Sequence, residues 1–217
     1  MELFNTNIDN YIFDQKALNS KGEDSIIVKG NETFKFVQSR AQLYGGEASI
    51  DIHPHPLDWL HFLNAVSVVY GTNLGAPGVT LASNAKYLPF IPPIHTHSEL
   101  KAEIQKKYKY ASSIYAQVEM DWFAKQNRAY LADNTETVTP GYTLFNAGFG
   151  MDLTNSNGKV FCNMHIAGNN ITDVAYQSHL SRLKYFEQYP VNGSGHSGIY
   201  NMGRNISFKL TFPLGNQ

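Results

Sequence analysis

The feature that most constrains this chain is the rhythm of its connections. Eight segments of strand-like alternation are read in order as 2–14, 33–52, 57–72, 92–107, 112–128, 142–154, 159–169 and 200–213. The connections after the second, fourth and sixth segments are short, and two of them read "HPHP" and "NSNG". Those after the first, third, fifth and seventh are long. A soluble sandwich has no reason to keep such order, whereas an antiparallel transmembrane barrel does, with tight turns at one rim and long loops at the other. The segment lengths also suit strands tilted across a bilayer.

The alternation assigns faces. In the fifth segment Ile114, Ala116, Val118, Met120, Trp122 and Ala124 oppose Gln117, Glu119, Asp121, Lys125 and Asn127. Phe145, Ala147, Phe149, Met151 and Leu153 oppose Asn146, Gly148, Gly150 and Asp152 in the sixth. Ile206, Phe208, Leu210 and Phe212 oppose Asn205, Ser207, Lys209 and Thr211 in the last. In the first segment Phe4, Thr6, Ile8 and Ile12 oppose Asn5, Asn7 and Asp9. The second segment changes phase: Ser39, Ala41 and Leu43 form one apolar row, and Ala48, Ile50 and Ile52 form another that is out of step with it. A Gly-associated bulge at "YGGE" (44–47) is expected to restore the phase.

The stretch "PPIHTHSELKAEIQKK" (92–107) is ambiguous on its own. Its Glu, Lys, Ala and Leu favour a helix, yet it alternates equally well as a strand. The loop rhythm decides for the strand, with Leu100, Ala102 and Ile104 toward lipid and His95, His97, Glu99, Lys101 and Glu103 toward the lumen. Aromatic residues near segment ends (Trp59, Tyr70, Tyr87, Tyr108, Tyr110, Trp122, Tyr142 and Phe212) are expected to form interfacial girdles.

Composition agrees. Aromatic residues make up 13% and charged residues 16% of the chain, and 17 basic residues balance 18 acidic ones. That balance leaves no footprint for nucleic acid. The single cysteine, Cys162, excludes an internal disulfide. The N-terminal "MELFNTNIDNYIF" lacks the pattern of a signal peptide, so the chain is expected to be either cytosolic or a piece whose beginning is missing.

The stretches "YGGEASIDIHPHPLDWL", "YLPFIPPIHTHSELKAEI", "TETVTPGYTLFNAGFGMDL", "NNITDVAYQSHLSRLKY" and "NMGRNISFKLTFPL" resemble the C-terminal barrel region of TonB-dependent outer-membrane receptors in the style of Bacteroidetes-type members. The resemblance runs over essentially the whole chain, residues 1–217. It implies an all-β fold: an antiparallel up-and-down transmembrane β-barrel, here the last eight strands of about 22 around a plugged lumen. The plug and the earlier strands would be missing. The implied partners are the TonB energy-transducing system, reached through the plug, outer-membrane lipid and lipopolysaccharide, and the barrel-assembly machinery in the outer membrane of a Gram-negative bacterium. Phe212 stands inward of the final position, where the family's assembly signal has its aromatic.

No catalytic constellation stands out, and the chain is read as a non-enzyme with no resident cofactor. His53 and His55 read as a rigid turn, and His61 and His165 as hydrogen-bonded lumen residues. His95 and His97, two apart on one strand face, point inward below the outer rim, while His179 and His196 fall in the longest outer loop. Neutral imidazole binds zinc, copper, iron and nickel, so these four are the candidate metal contacts. "NNITDVAYQSHLSRLKY" resembles the penultimate-loop pattern of zinc-uptake-type receptors. Glu99, Asp173, Arg182 and Lys184 are further candidate ligand contacts. Arg182 and Lys184 suit an anionic siderophore or lipopolysaccharide phosphate equally, and Asp173 with Asn170 suits a loop cap equally. The expected cargo is a metal ion or complex, whether zinc, an iron siderophore or haem. Alternatives are a passive pore, a small closed eight-stranded barrel, or a soluble carbohydrate-binding β-domain.

Overall fold

The computed structural model describes residues 1–17, 19–21, 33–104, 106–132, 136–185 and 198–213. Eight strands form one sheet in the order of the chain: β1 (Glu2–Lys16), β2 (Phe34–Ile52), β3 (Leu60–Gly75), β4 (His95–Ile104), β5 (Ala111–Phe123), β6 (Tyr142–Thr154), β7 (Val160–Asn169) and β8 (Asn205–Thr211). Every neighbouring pair is antiparallel. β1 and β8 stand at the two ends of that order and do not pair with each other. The small closed barrel is therefore not what this sheet forms, and a single sheet is not a sandwich. β4 is a strand in spite of its helix-forming composition.

Turn chemistry fixes the short connections. At 155–159 the Asn155 side-chain oxygen accepts from the backbone N–H groups of Asn157 and Lys159, both at 3.0 Å. Gly158 closes the turn at φ +76°, where glycine carries no steric penalty. At 53–59 the Leu57 N–H donates to the Pro54 carbonyl at 2.6 Å. His53 meets Asp51 at 3.1 Å, and His55 meets Asp58 at 3.3 Å.

The register aligns side chains across the sheet in transverse rows. One row reads Ile52, Phe62, Leu100, Val118, Ala147, Gly168 and Ile206. The rows on the other side carry Glu47, Ser67, His95 and Phe123, then Ser49, Ala65, His97 and Asp121. We call this polar side the inner face. The outer face leaves Leu100, Val118, Ile206 and Phe208 about half exposed or more. An apolar exposure this large and continuous marks a surface that meets something other than water.

The phase change in β2 has a different cause from the expected bulge. The β2–β3 register runs without interruption from Ala41 to Ile52, so "YGGE" is regular. The irregularities flank Arg40 instead, between Ile8 and Tyr11 on β1 and between Gly75 and Asn73 on β3. Ala41 and Leu43 therefore lie on the inner face, opposite in direction to Ala48 and Ile50. Phe4, Thr6 and Ile8, paired with Gly45, Leu43 and Ala41, are inner as well. The 76–94 connection explains why: Leu88 and Ile91 fold against Ala41, with Ile8, Tyr11, Leu43 and Val69 around them. A second cluster joins Phe13, Ala85 and Tyr130. At this end of the sheet the apolar stripe faces inward because loops cover it, and Gln38, Arg40 and Gln42 take the outside.

Candidate functional site

His95 and His97 project from the start of β4, two residues apart and so on one face of the strand. β5 places Asp121 directly opposite His97. Asp121 Oδ1 lies 2.8 Å from His97 Nδ1 and 3.2 Å from His95 Nε2. Asn146 on β6 donates to Asp121 Oδ2 at 3.0 Å. When each ring donates to the one carboxylate oxygen, His95 Nδ1 and His97 Nε2 are the lone-pair nitrogens. A carboxylate that holds an imidazole in this way fixes its tautomer and orientation, as carboxylates do behind metal-binding histidines. The rings are about a third exposed, and Asp121 a fifth. They border an inner-face groove of about 400 Å³ that Glu47 and Ser67 also line, and Ser67 donates to Glu47 at 3.1 Å. Among the described residues no group of three or more His, Cys, Asp or Glu side chains is arranged to hold a metal ion.

Negative charge continues down this face. Glu99 pairs directly with Glu119. The Gln117 amide donates to Glu119 Oε1 at 2.5 Å, and Asn146 reaches Glu119 Oε2 at 3.5 Å. Like charges placed opposite one another in a sheet repel, so a cation entering here is favoured. Lower still, Lys101 meets Glu103 at 2.6 Å, and the Tyr115 hydroxyl meets His165 at 3.2 Å. His61 packs edge-on against His53, with ring centroids 4.4 Å apart.

Above the imidazoles runs an aromatic ladder. The rings of His95 and Phe123 stack at 4.3 Å and those of Phe123 and Tyr142 at 4.6 Å, and Tyr176 lies tilted against Tyr142 with centroids 4.6 Å apart. Tyr142 thus lies on the inner face and is not part of an interfacial girdle. Trp59, Tyr108, Tyr110, Trp122 and Phe212 are each 41–59% exposed.

The remaining candidates go elsewhere. His179 is 1% exposed, which leaves it no open side from which to meet a ligand. Its Nδ1 lies 2.8 Å from Thr139 Oγ1, and its carbonyl accepts from the Tyr185 hydroxyl at 2.8 Å. Lys184, also buried, donates to Thr139 Oγ1 at 2.5 Å and to the Thr137 carbonyl at 3.0 Å. On its other side His179 Nε2 faces Glu136 Oε2 at 3.8 Å, beyond hydrogen-bond distance. Glu136 in turn accepts from the backbone N–H groups of Phe90 and, at 2.9 Å, Tyr130. One buried cluster therefore ties the 76–94, 124–141 and 170–204 connections together. Burial and the Lys184 charge push His179 down to about 4. Burial likewise pushes Lys184 down to about 8, against the pull of Glu136, and pushes Glu136 upward. His179 and Lys184, read from the sequence as ligand contacts, are buried here among the side chains that join these loops.

Asp173 holds a loop turn. Its Oδ1 accepts from the Arg204 N–H at 2.8 Å, while Asn170 bonds both the N–H and the carbonyl of Val174 at 2.9 Å. The exposed Arg182 lays its guanidinium over the Phe90 ring, 3.8 Å from its centroid. His196 lies outside the described residues.

Sequence reasoning placed His95 and His97 on the inner face but missed Asp121 as their shared partner. The period of two puts Asp121 on the inner face, but the pairing is centred on position 109, with Ile104 opposite Ile114, and the sequence does not fix that centre. The Glu136 cluster had no such signal, because no period links positions in three irregular loops.

No family model matches the chain, and no curated protein matches it. Solved structures do. The chain is similar in fold to copper transporter OprC, with a TM-score of 0.67 at 15% identity, over 96% of this chain and 28% of that one. The chain thus spans little more than a quarter of the length of the protein it matches.

Proposed function

We propose that the chain is the closing part of the barrel wall of a TonB-dependent outer-membrane receptor that imports a metal ion or metal complex. The observation that carries this reading is the contrast between the two faces: an acid- and imidazole-lined inner face backed by an apolar outer one. That is the arrangement of a wall with lipid outside and a wet lumen inside. The open edges at β1 and β8 fit a wall that continues into further strands, and the fold shared with a copper transporter fits a metal cargo. A plug and the TonB system then supply the energy, and the barrel-assembly machinery inserts the wall. The residues that meet the cargo are His95 and His97, oriented by Asp121, with Glu99 and Glu47 adding charge. Imidazole with carboxylate suits copper, zinc or an iron chelate.

The test is metal titration of the full-length receptor with copper, zinc and iron chelates, comparing wild type with His95→Ala and His97→Ala. A loss of about tenfold or more in affinity is expected. Unchanged affinity for all of them would remove the two rings from the uptake path. Asp121→Asn, which keeps shape but not charge, should weaken binding in the same order without displacing the strands.

A further inference from the structure

The outer face carries a groove of about 730 Å³ where β1, β2 and β3 run side by side. Gly46 and Ala48 form its floor, Leu3 and Val68 its sides, and Tyr44 and Tyr70 its upper end. The floor is low because Gly46 has no side chain: a β-carbon there would stand 2.5 Å from Leu3 Cδ2. The volume is that of a small-molecule pocket, and the walls are largely apolar.

A cation packs just beyond the upper end, on the tyrosines that line it. Residues 86–88 extend the wall beside β3: the Asn73 N–H donates to the Lys86 carbonyl at 2.9 Å, and the Leu88 N–H to the Gly71 carbonyl at 3.2 Å. Tyr87 bridges Thr72 and so shares the outer face with Tyr70. The Arg128 guanidinium packs on the Tyr70 and Tyr87 rings, 4.3 and 4.8 Å from their centroids. It donates to the Tyr44 hydroxyl at 3.4 Å. Its Nε is enclosed without a hydrogen-bond partner, and among the described residues no carboxylate lies within ion-pair distance. Aromatic faces hold a guanidinium in place but do not neutralise it. A planar, immobilised guanidinium suits a phosphate oxygen pair.

We propose that this groove binds the phosphorylated glucosamine lipid of the outer leaflet, lipid A, with an acyl chain along Gly46–Ala48 and a phosphate on Arg128. The three tyrosines then occupy the interfacial level, where amphipathic rings settle. The proposal rests on the outer-membrane reading above and adds to it a fixed lipid partner.

The test places the full-length protein in vesicles of phosphatidylethanolamine doped with either lipid A or its dephosphorylated analogue. The lipid retained after mild extraction is then quantified. Wild type should retain lipid A at least about tenfold over the analogue, the scale of one charge-assisted contact. Arg128→Gln should lose that preference, and Arg128→Lys should keep part of it. Ala48→Phe, which fills the groove and leaves the cation untouched, should lower retention of both lipids. Equal retention of the two lipids by the inserted wild type, or unaltered preference in Arg128→Gln, overturns the site and leaves the membrane reading standing. Failure to enter vesicles, read as the absence of a heat-modifiable band, overturns both.

Discussion

The two ends of β2 live in opposite surroundings. From Ala48 to Ile52 the apolar side chains look outward, and the inner face carries Glu47, Ser49 and Asp51. From Ser39 to Leu43 the apolar side chains look inward, and Gln38, Arg40 and Gln42 look out. The strand between is regular, so no bulge makes the exchange. What changes is the medium on each side. On the outer-membrane reading proposed above, the lower half has lipid at its outer face and water at its inner face. In the upper half the inner face meets Leu88 and Ile91 from a folded-back loop, and on the same reading the outer face there stands in water. Alternation in a strand thus reports which side is dry, and a phase change along one strand locates the level at which dryness changes sides.

The largest effect expected from this contrast is in the upper core. Leu88 is fully buried on Ala41 and Ile91. Leu88→Ala removes its methyl groups and leaves a cavity, at a cost of about 2–5 kcal/mol. The cost should appear as faster proteolysis within 76–94, with the lower strands unaffected. If the loop only drapes over the sheet, cleavage will not change. The next effect is in the lower half. Val118 stands mid-strand on the outer face and is 52% exposed. Val118→Lys should cost about 2–4 kcal/mol of stability in a bilayer, read as a lower urea midpoint in vesicles. In a water-facing sheet the same change would be nearly silent.

Much of this architecture was legible because strands and tight turns leave local signatures. The alternation of Ile114 to Trp122 and the Asn-Gly turn at 155–158 name their elements directly. The inner direction of His95 and His97 follows from the same period of two. What was not legible depends on partners remote in sequence. The inward phase of Ile8, Ala41 and Leu43 looks like a register slip until Leu88 and Ile91 are found covering them. His179 looks like an available imidazole until Thr139, Tyr185 and Glu136 close around it. Composition cannot distinguish a ligand histidine from a latch histidine, because burial makes the difference and long loops have no period that forecasts burial.

The latch gives an intermediate effect with a defined pH window. His179 is held near 4 in the closed loops, against about 6.5 in an open one. Between those values an open loop takes up a proton that the closed cluster refuses. The contribution of His179 to closure is therefore complete above pH 6.5 and declines as pH falls toward 4, by about 1 kcal/mol at pH 5.5. The exchange protection factors of Ser181 and Lys184, whose N–H groups donate within the turn, should fall over that window. His179→Gln should flatten the acid limb. Lys184, held near 8, acts in the same direction at the alkaline end: closure gains as pH rises from 8 toward 10.5. An acid limb that persists in His179→Gln would assign the opening to other groups.

The smallest expected effect is the sharpest test of where the medium changes. Gln38 and Val118 both point outward, one above the phase change and one below it. Gln38→Lys places on the outer face the same charge that Val118→Lys places there, yet it should shift stability by no more than about 0.5 kcal/mol. A lysine at Gln38 remains in water, with Ile12 as its outward partner across β1. Measured in the same vesicles, the pair separates depth from face once Val118→Gln supplies the neutral reference: the step from Val118→Gln to Val118→Lys then shares with Gln38→Lys the face, the residue replaced and the residue introduced, and the remaining gap reports the medium. A cost at Gln38 approaching that at Val118 would mean that lipid reaches the top of β2. The inward turn of Ala41 and Leu43 would then follow from loop packing alone and not from a change of solvent on the outside.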